Sequence, residues 1–106
     1  MNKKYLDKLV KILQQKNMDA ILVAPSEEME FIMGHNSNVC ERFQALIIKN
    51  VGTYFYVCNL LSVAEIQAVL GSDIKVYGWF DGDGFLGTVK KAFEENGLLG
   101  KTIGAS

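Results

Sequence analysis

Residues 20–24 read Ala-Ile-Leu-Val-Ala, an unbroken apolar run closed by Pro25, the chain's one proline. A run this short, with no polar alternation, is the pattern of a strand covered on both faces. One covering element precedes it. Leu6, Leu9, Val10 and Leu13 recur at helical spacing, lysines 3, 4, 8, 11 and 16 fill the opposite face, and Asn17 ends the helix.

Beyond Pro25 the chain continues to alternate between helical and strand-like segments. Ser26 is a good N-cap, Glu27 and Glu28 stand where a helix dipole favours anions, and Gly34 suits a C-terminal turn. Phe43 to Lys49 and Thr53 to Cys58 are β-rich runs joined by Asn50-Val51-Gly52, which predicts an antiparallel hairpin. Ser62-Val63-Ala64-Glu65 has capping-box spacing, ahead of a Val63, Ile66, Leu70 stripe that ends at Gly71. Ile74 to Trp79 reads as a strand. Asp81 or Asp83 is expected to cap a last helix carrying Leu86, Val89 and Phe93, and Lys101 to Ser106 begins another apolar strand. The expectation is one α/β layered domain over residues 1–106, with a mixed, mainly parallel sheet, one antiparallel hairpin and helices on both faces. The abrupt stop at Ser106, directly after a strand-like run, suggests a piece of something longer.

Composition narrows the function classes. Apolar residues at 49% and charged residues at 22% are ordinary for a globular domain and argue against disorder. The longest uncharged stretch, Asn50 to Ala64, is too short and too polar to span a bilayer. A net charge of −1 gives no general attraction to nucleic acid, and the lysines of the first helix read as a solvated face. The N-terminus lacks the uninterrupted apolar core of a signal peptide. Cys40 and Cys58 have no metal or redox spacing, so free thiols in a reducing cytoplasm are expected.

Catalytic chemistry needs converging groups, and few are offered. His35 is the only histidine, in the polar run 34–38, and reads as a loop residue. Cys40 has Arg42 nearby to lower its pKa but Glu41 to raise it, and reads as a small core or rim residue. Asp81-Gly82-Asp83-Gly84 opens like a calcium loop, but Phe85 and Leu86 stand where an oxygen ligand and a glycine are needed. Gly82, Gly84 and Gly87 spell GxGxxG after a strand and before a helix, an alternative nucleotide-binding reading. Against it, Asp81 and Asp83 put negative charge where a pyrophosphate would approach.

Taken together, the segments resemble a known family. Asp19-Ala20-Ile21-Leu22-Val23 with Pro25, then Phe31-Ile32-Met33-Gly34, resemble the D-A-L-L-V strand and Y-L-T-G-F helix end of creatinase and proline-peptidase N-terminal domains. Glu41 to Ile48 is similar to that family's E-R-F-x-A-L-V-I strand, and Asn59-Leu60, Ala64-Glu65, Trp79 to Asp83 and Thr102-Ile103-Gly104 occur in family order. Met33, His35 and Leu60 depart from the usual Thr, Phe and Pro.

The resemblance implies a ribonuclease H-like, non-catalytic domain that supports dimerisation and gates an active site. It implies a separate catalytic domain, after residue 106, that holds two divalent metal ions (manganese, cobalt or zinc) and cleaves peptides next to proline. No catalytic residue, metal ligand or cofactor falls in this stretch on that reading. Arg42, suited to a substrate carboxylate, with Glu28 and His35, are the gating candidates. Tyr54 and Tyr56 are candidates for a homodimer contact. The alternative of a different class is a stand-alone interaction module of the same fold.

Overall fold

The structure, a computed structural model, describes residues 1–34 and 42–105. Helix α1 (Lys3–Gln15) leads to β1 (Ala20–Val23), α2 (Glu27–Met33), β2 (Ala45–Lys49) and β3 (Tyr54–Asn59). A 3₁₀ turn (Leu60–Ser62) enters α3 (Val63–Leu70), and β4 (Val76–Trp79), α4 (Leu86–Glu95) and β5 (Ile103–Ala105) complete the order. The five strands form one sheet in the order β4-β3-β2-β1-β5.

Alternation along the strands sorts side chains onto two faces. Leu46, Ile48, Tyr56 and Cys58 meet Leu6, Leu9, Met29, Ile32 and Ile66 from α1, α2 and α3. Ala45, Ile47, Phe55, Val57, Tyr77 and Trp79 meet Ala92, Val89 and Phe93 of α4 on the other face. Helices therefore cover both faces, as the buried apolar strands require. β2 and β3 are almost wholly buried, and each fully buried Ile or Phe there is worth about 1.5–3 kcal/mol relative to exposure.

The mixed sheet is as expected, with four of its five strands running one way and β2 alone against them. β1 pairs with β5 and β3 with β4 in parallel, whereas β2 runs antiparallel to both β1 and β3. The physical reason is that the chain after α2 re-enters the sheet from the end where β1 leaves it. β1 and β2 are thus a second antiparallel pair that no short turn announces in the sequence.

Local signals hold in part. Ser26 caps α2, its hydroxyl accepting from the Met29 amide at 3.2 Å, and Gly34 closes that helix in the left-handed conformation at φ 69°. The hairpin turn closes with the Gly52 amide donating to the Lys49 carbonyl. Three expectations are corrected. Ser62 makes no side-chain cap, because the chain enters α3 from a turn that is already helical; Asn59 does the capping, its Oδ1 accepting from the Leu61 amide at 3.0 Å. Neither Asp81 nor Asp83 is the N-cap of α4, whose cap residue is Phe85, and Leu86 is 74% exposed. Tyr56, a candidate for the homodimer contact, is fully buried and donates its hydroxyl to Gln44 Oε1 at 2.7 Å, so it cannot form that contact in this conformation.

Candidate functional site

β1, β3, β4 and β5 run one way and β2 the other, so four C-terminal strand ends and the start of β2 lie along the same end of the sheet. In α/β sheets this is the end at which loops gather into sites. Three places on that rim supply polar side chains that meet: Arg42 before β2, Asn59 at the end of β3, and Asp81 in the β4–α4 turn.

Arg42 and Asp81 meet there. The guanidinium donates from Nε to Oδ1 and from Nη2 to Oδ2, each at 3.2 Å, a two-pronged contact that fixes the plane of both groups. Asn59 Nδ2 donates to the same Asp81 Oδ1 at 2.8 Å. Asn59 is itself 4% exposed and held at its other end by the Leu61 amide, so it is a rigid brace. The hydrogen bond from Arg42, with its charge and the bond from Asn59, holds the Asp81 carboxyl below the usual aspartate range despite some desolvation. Asp81 is therefore an acceptor at neutral pH, unsuited to act as an acid.

The residue beside Arg42 is pinned by the same turn. The Trp79 indole N–H donates to the Phe43 carbonyl at 2.8 Å, and the Phe43 ring stacks on Phe85 at 4.6 Å between centroids. Phe85 also meets Trp79 edge-on at 5.9 Å. These contacts explain why β2 begins at Ala45 and not at Phe43: the backbone of Phe43 bonds to an indole instead of a neighbouring strand.

Of the two gating candidates among the described residues, Arg42 is part of this cluster and Glu28 is not. Glu28 lies half-buried on α2, where it accepts from the Tyr5 hydroxyl of α1 at 3.2 Å, and burial and that carboxylate together raise the tyrosine's pKa. Its contact ties two helices together. His35 lies outside the described residues, as do Cys40 and Glu41. Sequence reasoning misses Asp81 and Asn59 as partners of Arg42. The signal for Asn59 is a lone polar residue ending an otherwise apolar strand.

Other chemistry finds little support. Cys58 is buried, and burial with nearby Glu65 pushes its thiol up to about 12, so it is neither a nucleophile nor a ready metal ligand. Among the described residues, no group of three His, Cys, Asp or Glu side chains could hold a metal ion. The metal pair implied by the family resemblance thus has no fitting ligand set among them. The GxGxxG reading also fails physically. The third glycine of a dinucleotide fingerprint clears a close helix–strand approach, but a Cβ on Gly87 would meet nothing within 4 Å. The first turn is taken up by the Asp81 ion pair, and Phe85 packs against Trp79 at the start of α4. Among the described residues no helix is long and apolar enough to cross a membrane.

The fold and rim define a class: an α/β layered domain with a mixed five-stranded sheet and a braced arginine at its loop end. No protein-family model matches the chain, and no curated protein does. Solved structures do. The N-terminal domain of an Xaa-Pro dipeptidase from Lactobacillus brevis superposes with a TM-score of 0.77 at 17% identity, covering 88% of this chain and 69% of that one. The creatinase/prolidase N-terminal domain of an X-Pro dipeptidase from Streptococcus pyogenes gives 0.77 at 14% identity, over 98% of this chain and 94% of that one. A dipeptidase from Pyrococcus horikoshii gives 0.70 at 22% identity over 88% of this chain, which spans 25% of the length of that protein. The chain has the fold of the creatinase/prolidase N-terminal domain.

Proposed function

We propose that this chain is the non-catalytic N-terminal domain of a metal-dependent Xaa-Pro peptidase, acting in the cytoplasm to build a homodimer and to gate the active site of a following catalytic domain. The observation that carries the reading is the end-to-end superposition on the Streptococcus pyogenes domain, in which both chains are covered almost completely. Within it, Arg42 is the candidate for meeting a peptide carboxylate; its position at the loop end of the sheet and its 49% side-chain exposure support that role. Glu28 is assigned to the α1–α2 contact. The two divalent ions belong to the catalytic domain.

The test is hydrolysis of an Xaa-Pro dipeptide with manganese present, by this chain alone and by the whole product of its gene. Turnover is expected from the whole product only. Metal-dependent turnover by this chain alone, or none by the whole product, overturns the reading. In the active protein, Arg42→Ala raises KM and leaves kcat in place; an unchanged KM removes Arg42 from gating.

A further inference from the structure

The Arg42–Asp81 pair is more organised than a surface ion pair needs to be. Exposed pairs contribute little, because two long side chains must be immobilised for a screened attraction. Here the acid side chain is short, it is approached by both prongs of the guanidinium, and a buried asparagine aligns it from behind. The three residues come from the segment before β2, the end of β3 and the β4–α4 turn, so the cluster joins three elements at one corner. The indole bond from Trp79 to Phe43 and the Phe43–Phe85 stack hold the backbone next to Arg42 against that same turn. An unrestrained arginine loses considerable rotamer entropy when it binds a ligand, and pre-alignment removes part of that cost.

We propose that Asp81, braced by Asn59, is the positioning residue for Arg42: it holds the guanidinium in one orientation at the rim so that it meets a carboxylate ligand already aligned. The proposal rests on the gating role of Arg42 for its functional consequence, but the alignment itself does not. Asp81 touches no substrate in this scheme. It acts through Arg42, and Asn59 acts through Asp81.

The experiment has two arms. In the first, solvent exchange of the Arg42 Nε proton is followed by ¹⁵N NMR on this chain. Asp81→Asn, which keeps the shape of the side chain and removes its charge, is expected to speed exchange at least several-fold, with Asn59→Ala intermediate. Backbone amide shifts of β2 and β3 should stay in place. An Arg42 Nε exchange rate unchanged by Asp81→Asn overturns the proposal, whatever the enzyme assays show. In the second arm, the whole active protein is assayed on a dipeptide. Asp81→Asn is expected to reproduce the KM increase of Arg42→Ala at constant kcat. If Arg42→Ala raises KM and Asp81→Asn does not, positioning is overturned while gating stands. If Arg42→Ala leaves KM unchanged, gating fails and the exchange arm still decides whether Asp81 aligns Arg42.

Discussion

Cys58 and Asp81 show how far a residue's surroundings decide its chemistry. The Cys58 thiol is enclosed by the core, and its pKa of about 12 leaves almost no thiolate at pH 8. Iodoacetamide at that pH should leave Cys58 unmodified in the folded protein and label it after denaturation, as read by peptide mass mapping; fast labelling of the native state would contradict the burial. Because the folded thiol holds its proton above the ordinary value of 9, unfolding is increasingly favoured between pH 9 and 12 from this group. Asp81 has the opposite sign. Its folded carboxyl is more acidic than an ordinary aspartate, so the stabilisation from Arg42 is complete above the usual aspartate range and is lost as pH falls through the folded value. The sequence discloses Arg42 as a candidate but not its partner. Asp81 lies 39 positions beyond Arg42, and only the sheet brings them within reach.

At the level of elements, two serines with similar sequence signatures behave differently. Ser26 precedes α2 in extended geometry and its hydroxyl meets the Met29 amide, whereas Ser62 already has helical dihedrals and makes no such bond. Ser26→Ala should therefore cost about 1 kcal/mol in urea denaturation. Ser62→Ala should stay within about 0.5 kcal/mol; equal losses would show that the cap geometry is wrong. The capping-box spacing is legible at Ser62, but it does not report that the helix begins earlier as a 3₁₀ turn capped by Asn59. Strand β1 is legible to within one residue, ending at Val23 and not Ala24, because its apolar run, Pro25 and the next helix cap agree. The limits of β2 are not, because the Phe43 carbonyl is engaged by Trp79 from a distant part of the chain.

For the molecule as a whole, the two cores are coupled through one sheet. Phe55 is 1% exposed and meets both Tyr77 and Phe93 edge-on, on the α4 face. Phe55→Ala should lower the unfolding free energy by about 3–5 kcal/mol, in a single transition by fluorescence and circular dichroism. Separate transitions by the two probes would show that the α4 layer unfolds independently. The layered α/β class is legible because buried strands and amphipathic helices alternate along the chain. Strand direction is not, since the pairing of β1 with β2 depends on how the chain returns after α2 and leaves no local mark. The candidate site is half legible for the same reason: its arginine stands out in sequence, while its alignment is a product of topology.

The parallel pairing of β1 with β5 has a consequence for the order of events during synthesis. The Thr102 amide donates to Asp19 at 2.9 Å across 83 positions of chain, and Ala20 to Leu22 pair with Ile103 to Ala105. At about 5–20 residues per second, the ribosome delivers that partner strand roughly 4–17 s after β1. For that interval the outer edge of β1 carries unpaired peptide groups, a template that other strands can join. The nascent chain is therefore open to mispairing along β1 until β5 has been made and has closed that edge.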